Sequence, residues 1–502
     1  METQNNFLTW DYIPKKEKED PYEGILPEIN NLIQDFETKT KDEQNKIIDK
    51  VLELIRNINI YPIFYFNREG VSKEIKSVID KNDVCFIGDE LNSQARNGLL
   101  LLDFLFPNLH KAYTCNLSDS MYDRFFDDKI LKFCLNRYII KNKKILNMRT
   151  PFFSAGRFYY DTPINFSPMR AKAIFEKFCP PNGIIYDYSM GYGGRMLGAL
   201  ASKQNFIYTG TDPNRETFYN LKKLGKYIEE ETGRTNSYKI FNLTSEQLQL
   251  EKNSIDLAFS CPPFFNKEIY SLEDTQSIMN YPVYGDWLEG YVRPTIKNCY
   301  NALKDDGVFI FDILNYTLGR KKIPLVDDWK RIAEEEGFIF KKEYPILSRF
   351  RKKNDENKEK LYVFKKNDSE LVDYTPSNIL ILTQRRIEKQ NRAKDRRKNY
   401  TIVEYDAFGN MLQTFNSYDD MNVDKSILNN KKPYNDKYYR IFRGDDLVCS
   451  KLDVKPPICS IDNNYFYTYV AASKYVGVSR QAVQSARKRK AKKINNYDVI
   501  WF

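Results

Sequence analysis

A short segment that ends in two adjacent prolines combines residue types suited to holding an amine. It runs Phe259-Ser260-Cys261-Pro262-Pro263-Phe264-Phe265 and follows an apolar stretch that begins at Ile255. Neither proline supplies a backbone N–H, so the chain cannot continue a central strand and leaves the sheet with outward-facing carbonyls. Carbonyl acceptors beside an aromatic ring suit a planar amino group. The residues predicted to be catalytic are Ser260, Cys261, Pro262, Pro263 and Phe264.

A glycine-rich loop lies before this segment in the chain. Residues Gly191-Tyr-Gly-Gly-Arg195 follow the apolar run 183–187, at a spacing that differs from the dinucleotide fingerprint. A second apolar run ends at Asp212, and an acidic side chain at a strand end can accept hydrogen bonds from both hydroxyls of a ribose. The two features predict a nucleoside site with Asp212 as the ribose ligand. A tight turn for the glycines and a helix cap for Asp212 are the structural alternatives.

Strands and helices must position these residues, and their pattern is visible between residues 151 and 366. Short apolar runs at 183–187, 206–212, 255–259 and 307–313 alternate with helical patterns. Such alternation predicts βαβ units and an α/β fold with a mainly parallel sheet. Two further runs, 344–351 and 360–365, flank a charged segment and predict a hairpin that closes the sheet.

The chain is predicted to contain four regions. Residues 1–150 have apolar positions at helical spacing and no catalytic motif, which predicts a helical N-terminal region. Residues 151–366 form the α/β domain, and a basic linker follows at 367–399. Residues 400–502 contain two weakly similar repeats of a strand, a turn, a second strand and a short helical segment, which predicts small α+β units.

Composition excludes several classes of function. The chain has 502 residues and a net charge of +10, and its basic residues crowd toward the C-terminal third, which favours nucleic acid as a polyanionic partner. Eight scattered cysteines form no C-x-x-C pair, so free thiols in a reducing cytoplasm are expected. The single histidine, His110, leaves almost no material for a zinc site or a Ser-His-Asp triad. For that reason we expect no bound metal. No apolar run is long enough to span a membrane, so we expect no membrane partner either.

The second C-terminal repeat contains a helix-turn-helix pattern. Residues 470–490 give a short helix, a turn at Gly477, an N-cap at Ser479 and a second helix with an exposed polar face. The pattern resembles the NUMOD-type DNA-binding repeats that follow nuclease domains in mobile elements, and a purely structural pair of helices is the alternative. The predicted DNA contacts are Arg480, Gln481 and Gln484 to bases, and Arg487, Lys488 and Arg489 to phosphates.

Several motifs of residues 151–366 follow one another in a recognisable order. They are 165–172, 187–198, 211–214, 260–271, 276–277 and 287–289. In this order they resemble the S-adenosylmethionine-dependent amino-methyltransferases of DNA, phage-borne members among them. The resemblance implies a Rossmann-like α/β fold, S-adenosylmethionine as the cofactor, and methyl transfer to N6 of adenine or N4 of cytosine in double-stranded DNA. The cofactor contacts that it implies are Asn165, Phe166, Ser167, Asp187, Gly191, Gly193, Gly194, Arg195, Asp212 and Asn242.

Each motif has its own role within this resemblance. Residues 165–170 and the glycine loop flank the methionine part of the cofactor, Asp212 binds its ribose and Asn242 contacts its adenine. The proline segment holds the target base, which must be flipped out of a duplex, and Phe264 stacks on it.

Cys261 departs from the family pattern, which has Asp, Asn or Ser at that position. Because cysteine is a weak acceptor, either the Pro262 carbonyl polarises the amine, or Ser260 substitutes, or activity is impaired. A covalent thiolate route is disfavoured, since the nucleophile of ring-carbon methylation follows its proline. RNA base methylation and a DNA-binding protein with an inactive methyltransferase domain are the alternative functions. We expect a cytoplasmic protein of a bacterial or phage-infected cell, and the oligomeric state stays open.

Overall fold

The computed structural model describes most of the chain. The described ranges are 12–82, 86–91, 95–114, 119–159, 163–318, 321–346, 359–398, 401–405, 411–415, 438–443, 446–447, 459–461, 464–466, 469–494 and 497–501. The chain divides into two compact units, a first unit Met1–Thr383 and a second unit Gln384–Phe502.

Helices dominate the N-terminal part of the first unit, as predicted. They are α1 (Leu26–Leu32), α2 (Lys41–Ile58), α3 (Arg68–Ile79), α4 (Leu99–Leu105), α5 (Met121–Phe126), α6 (Asp128–Asn142) and α7 (Arg149–Tyr159). Thr40 and Glu43 form a capping box at the start of α2, which satisfies backbone N–H groups that the helix leaves without partners. The buried side chains of α2 recur at helical spacing, so α2 presents one apolar face to a core shared with α1 and α6.

Short strand pairs connect these helices. They are β1 (Lys18–Glu19) with β2 (Tyr65–Phe66), and β3 (Phe86–Ile87) with β4 (Glu90–Leu91). A further strand, β5 (Tyr113–Thr114), pairs with β10 (Glu268–Ile269), which lies just after the proline segment. The N-terminal part therefore contacts the region that contains the predicted catalytic residues.

A seven-stranded sheet forms the centre of the first unit. Its strands are β6 (Ile184–Asp187), β7 (Ile207–Thr211), β8 (Tyr238–Phe241), β9 (Ile255–Ser260), β11 (Leu303–Ile313), β14 (Ile339–Pro345) and β15 (Lys360–Lys365). The order across the sheet is β8-β7-β6-β9-β11-β15-β14, and β15 is antiparallel to both of its neighbours while the other pairings are parallel. The predicted α/β, Rossmann-like and mainly parallel fold is confirmed.

The hairpin predicted at the end of the sheet is present, with its first strand shifted toward the N-terminus. β14 begins at Ile339, whose partner across the pair is Lys365, so the pairing extends over the whole of β15. Residues 347–358, which include most of the charged segment between the two strands, lie outside the described part of the chain. A small antiparallel pair, β12 (Tyr316–Leu318) and β13 (Lys321–Ile323), follows β11.

Helices cover both faces of the sheet. They are α8 (Pro168–Phe178), α9 (Gly194–Leu200), α10 (Arg215–Thr232), α11 (Ser277–Asn280), α12 (Tyr284–Trp287), α13 (Arg293–Ala302) and α14 (Leu325–Glu335). One core lies under α8, α9 and α10, and a second lies under α13 and α14. Lys172 of α8 is buried and its Nζ donates to the carbonyls of Val78, Ile79 and Lys81 at the end of α3, which ties the N-terminal part to the sheet. The boundary expected at residue 150 stays a prediction.

The second unit contains two small sheets. One has the order β17 (Met411–Phe415), β16 (Thr401–Tyr405), β18 (Tyr438–Arg443) and β19 (Asp446–Leu447). The other has the order β21 (Asn464–Phe466), β20 (Cys459–Ile461), β23 (Tyr497–Trp501) and β22 (Lys493–Ile494). A basic helix, α15 (Ser377–Lys398), precedes them, and α16 (Tyr469–Val476) and α17 (Arg480–Lys488) pack on the second sheet. The helical segment expected in the first repeat falls mainly on residues 416–437, outside the described part. None of the described helices combines the length and the hydrophobicity that a membrane span requires.

Candidate functional site

The carboxyl ends of four neighbouring parallel strands meet at one edge of the central sheet. The chain order reverses between β6 and β9, and such a switch point opens a crevice in which α/β proteins bind ligands. Asp187 ends β6, Ser260 ends β9, Asp212 follows β7, and Asp312 lies one residue from the end of β11. The sheet thus brings the predicted nucleoside and amine residues to one edge.

Asp187 is a fully buried centre of hydrogen bonds. Its Oδ2 accepts from Arg195 Nε at 2.7 Å and from the Tyr208 hydroxyl at 2.7 Å, and its Oδ1 accepts from Ser260 Oγ at 2.8 Å. Arg195, also buried, donates to the carbonyl of Ser189. A buried ion pair of this kind is well satisfied and fixes the backbone that leaves β6. The geometry gives Asp187 and Arg195 a positioning role for the glycine loop.

The three glycines of the loop serve different purposes. Gly191 has φ of +56°, and a Cβ built there would meet nothing closer than Arg195 Nη2 at 3.9 Å, so its outer side is open. Gly193 has φ of +77°, and a Cβ on it would lie 2.7 Å from the ring of Phe106. A Cβ on Gly194 would lie 2.0 Å from the carbonyl oxygen of Phe166. Gly193 and Gly194 therefore allow close packing within the protein, while Gly191 is the glycine that leaves room for a ligand.

Asp212 lies beside Gly191, and each of its carboxyl oxygens accepts one hydrogen bond. One accepts from the Gly191 N–H at 2.9 Å and the other from the Asn214 N–H at 3.0 Å. Each carboxylate oxygen offers two lone pairs, so two acceptor positions remain for hydroxyl groups. Burial raises the pKa of Asp212 to about 7, and the two N–H donors oppose that rise. The nearby Asn242 donates through Nδ2 to the carbonyls of Asp212 and Pro213, which fixes its side chain at this end of the crevice.

The segment before α8 closes the other side of the glycine loop. Asn165 donates through Nδ2 to the Tyr192 carbonyl at 2.7 Å, and the Arg195 guanidinium lies 5.5 Å from the ring centre of Phe166. Ser167 is the N-cap of α8. Asn165 and Phe166 thus border the loop, and the contact of all three residues to a cofactor stays a prediction.

The residues of the proline segment, which follows β9, differ in burial. Ser260 is buried and its hydroxyl donates to Asp187 and, at 3.2 Å, to the Ser189 carbonyl. Cys261, Pro263 and Phe264 are half-buried, and Pro262 is buried. Phe265 is buried against Tyr284 and Trp287 and has φ of +49°, a left-handed conformation that is uncommon for an aromatic residue and occurs at functional turns. Of the two phenylalanines, Phe264 is thus the one left at the surface of the crevice.

The Cys261 thiol is held in its neutral form. Burial raises its pKa well above the usual value, the Asp312 carboxyl adds to the rise, and Arg195 opposes it. A thiol that stays protonated is a poor nucleophile, so the raised pKa of Cys261 does not favour covalent chemistry at this sulfur. Asp312 was not among the residues predicted from sequence, because it lies within an apolar run that reads as an ordinary buried strand. Among the described residues, no group of three or more His, Cys, Asp and Glu side chains could hold a metal ion.

The predicted helix-turn-helix is present in the second unit. Gly477 has φ of +67° at the turn, and Ser479 caps α17 by accepting from the Ala482 N–H. Val483 and Ala486 of α17 are buried, which leaves the opposite face open. The predicted DNA contacts Arg480, Gln481, Lys488 and Arg489 are exposed, and Gln484 and Arg487 are half-buried.

Comparison with known proteins gives matches among solved structures alone, since no family model and no curated protein matches the sequence. A TehB-like SAM-dependent methyltransferase from Corynebacterium glutamicum is 18% identical over 41% of this chain and 90% of its own, with a TM-score of 0.26. TYW2 of P. horikoshii in complex with MeSAdo is 16% identical over 41% of this chain and 66% of its own, also with a TM-score of 0.26. A SAM-dependent methyltransferase from Clostridium acetobutylicum is 13% identical over 39% of this chain and 89% of its own, with a TM-score of 0.26.

Proposed function

We propose that the first unit binds S-adenosylmethionine and transfers its methyl group to an exocyclic amino group of a DNA base, N6 of adenine or N4 of cytosine. The observation that supports this most strongly is the meeting of Asp212, the open side of Gly191 and the Cys261-Pro-Pro-Phe264 loop at one edge of the sheet. The first two suit a nucleoside cofactor and the third suits an amine.

The residues at this edge fit the proposed cofactor. Asp212 has acceptor positions left for two ribose hydroxyls, and Gly191 has space on its outer side where any side chain would intrude. Asn242, held by the carbonyls of Asp212 and Pro213, would contact the adenine. When bound, S-adenosylmethionine would supply an electrophilic methyl group on a positively charged sulfur.

The chain's own residues orient the amine. An exocyclic amine is a weak nucleophile because its lone pair is delocalised into the ring. Because the two prolines have no N–H, the segment does not continue the strand ladder, and the Pro262 carbonyl is left for another donor. It accepts a hydrogen bond from the amine and favours a pyramidal nitrogen. Phe264 stacks on the flipped base and holds it in line with the methyl group. The Ser260 hydroxyl is committed to Asp187, so it supports the loop instead of contacting the amine.

Cofactor affinity is expected to fall in acid because of Asp212. Ribose hydroxyls donate to the ionised carboxylate, and a pKa of about 7 means that protons compete for it below neutral pH. The dissociation constant should rise about tenfold from about pH 8 to about pH 6. Isothermal titration calorimetry over this range measures it.

Asp212→Asn is the matched control for this pH dependence. The amide cannot ionise, so binding should be weaker at about pH 8 by about 1.5–3 kcal/mol, roughly ten- to a hundredfold, and should lose the pH dependence that is due to this group. A folded Asp212→Asn protein with wild-type affinity and the wild-type pH profile would remove Asp212 from the site.

We propose that the helix-turn-helix supplies DNA affinity and part of the sequence choice. The N-terminal turn of a recognition helix enters the major groove, so Arg480 and Gln481 of α17 would face bases, as would Gln484 one turn later. Lys488 and Arg489 at its trailing end would meet phosphates. Exposed polar residues on one face and a buried Val483 on the other support this orientation.

Two substitutions separate base contacts from phosphate contacts. Gln481→Ala should lose about 1–3 kcal/mol of discrimination at one base pair. Lys488→Ala should weaken binding to all duplexes alike. It should also lower by about one the slope of the logarithm of the binding constant against the logarithm of the salt concentration. Lys297→Ala, an exposed lysine of the first unit, is the control. The test is a binding titration of the full chain against several duplexes, and against the matching RNA, at several salt concentrations. Preference for RNA, or weak binding that ignores salt, would contradict the DNA proposal.

A further inference from the structure

Asp312 is a buried acid that the proposed chemistry leaves unused. It is 0% exposed within β11, and neither of its carboxyl oxygens accepts a hydrogen bond from a donor among the described residues. Leaving such a group without a donor is costly, so its presence in the apolar stretch 307–313 calls for a role. Asp312 also lies close to the proposed catalytic loop.

The strand register places Asp312 beside Cys261. Phe311 of β11 pairs with Ser260 of β9 in the parallel ladder, so Asp312 and Cys261, the residues that follow them, lie side by side on the same face. The effect of the Asp312 carboxyl on the pKa of the Cys261 thiol agrees with this closeness. Asp312 therefore borders the loop that is proposed to hold the amine.

The register on the other side of β11 brings a second carboxyl to the same face. Asp312 pairs with Leu361 of β15, and Glu359 lies two residues before Leu361, so its side chain emerges on the face of Asp312. The Glu359 side chain is 35% exposed, and one of its oxygens lies 3.8 Å from Arg170 Nη1. The two carboxyls together lead from the buried edge of the sheet to solvent.

Two carboxyl groups in contact share a hydrogen bond when one of them holds a proton. Burial raises the pKa of Asp312 well above its usual range, and Glu359 raises it further. Arg170 and Arg195 oppose the rise. The charged or titratable groups that act on or face Asp312 are Arg170, Arg195, Cys261, Glu359 and Tyr362.

We propose that Asp312 and Glu359 form a carboxyl relay that receives the proton released by the target amino group and passes it to solvent. This inference rests on the proposed function. The amine nitrogen forms its bond to the methyl carbon while the carbon–sulfur bond breaks, and that electron pair stays on sulfur. The nitrogen then has one proton in excess. Asp312 accepts this proton on its carbonyl oxygen as its own acidic proton passes to Glu359, which releases it to water.

The test compares Asp312→Asn and Glu359→Gln with Glu343→Gln, an exposed carboxyl of β14 that pairs with Lys360. Single-turnover transfer of a labelled methyl group to DNA, measured across pH, gives the rate of the step. Removal of a proton acceptor costs about 10²–10⁴-fold, so Asp312→Asn should be slowed at least about a hundredfold. Glu359→Gln should be slowed less, and Glu343→Gln should keep the wild-type rate and pH profile.

Infrared spectroscopy of the protein without cofactor gives a readout that is independent of activity. The difference spectrum between the wild type and Asp312→Asn at neutral pH should contain the band of a protonated carboxyl, beyond the contribution that Asp212 makes in both proteins, with the cofactor affinity and melting temperature unchanged. An Asp312→Asn protein with the wild-type rate would overturn the relay and leave the proposed function intact. A slow Asp312→Asn protein that has also lost cofactor affinity or stability would show a structural role instead. A wild type that binds cofactor and methylates nothing would overturn both.

Discussion

Replacing Asp187 with alanine is expected to lower the free energy of unfolding of the first unit by about 3–5 kcal/mol. The substitution leaves the buried Arg195 cation without its carboxylate and removes the acceptor of the Tyr208 and Ser260 hydroxyls. Removing one member of a buried ion pair is costly because the other charge stays buried and unpaired. Cofactor binding should fall as well, since Arg195 also holds the Ser189 carbonyl at the start of the glycine loop.

Urea-induced unfolding followed by tryptophan fluorescence measures this loss, because Trp287 and Trp329 lie in the core of the first unit. Asp368→Ala is the matched control: Asp368 is 93% exposed and pairs with Lys341 at 2.7 Å. Exposed pairs contribute about 0–1 kcal/mol, so this variant should unfold close to the wild type. Equal effects of the two substitutions would show that Asp187 does not organise the site.

Phe264→Ala is expected to slow methyl transfer by about 5- to 150-fold while leaving cofactor affinity unchanged. Stacking of a base on an aromatic side chain contributes about 1–3 kcal/mol, which corresponds to this range of rates. Phe264 is half-buried, with Lys267 Nζ 5.3 Å from its ring centre, whereas Phe265 is part of the core, so of the two Phe264 is the one that remains partly exposed. Single-turnover kinetics on DNA measure the rate, with Phe264→Tyr as a variant that keeps the ring and Phe126→Ala as an exposed phenylalanine elsewhere. A wild-type rate for Phe264→Ala would contradict the stacking role.

Cys261→Ser separates the acceptor mechanism from a covalent one at the same loop. A serine hydroxyl is a better acceptor than a thiol, so the rate should be kept or raised. A thiolate nucleophile predicts the opposite, a complete loss with cofactor binding preserved. The raised pKa of the Cys261 thiol agrees with the first outcome.

Local patterns were sufficient to predict most strands of the central sheet. Alternation of apolar runs and helical segments identified β6, β7, β9 and β11, and turn-forming residues marked where each strand stops. β8 was missed because Tyr238-Lys-Ile-Phe241 is short and only partly apolar. The order of the strands across the sheet was not predicted, because no single segment contains it.

The parts of the site that depend on long-range contacts could not be predicted. The packing that requires glycine at 193 and 194 is an example, because a Cβ there would meet Phe106 and Phe166, which lie on other segments, while the predicted cofactor contacts of both glycines stay predictions. Asp312 could not be predicted as a site residue, because only the strand register places it beside Cys261. Sequence identifies which residue types are present, whereas register and burial decide what each one touches.

The measurement that tests the central claim most directly is nucleoside analysis of DNA after incubation with the purified protein and S-adenosylmethionine labelled in its methyl group. Mass spectrometry of the digested DNA should detect labelled N6-methyladenine or N4-methylcytosine, and an RNA substrate treated in parallel should gain no label. Label on RNA alone, label on a ring carbon of cytosine, or no label on any base while the cofactor binds would contradict amino-group methylation of DNA.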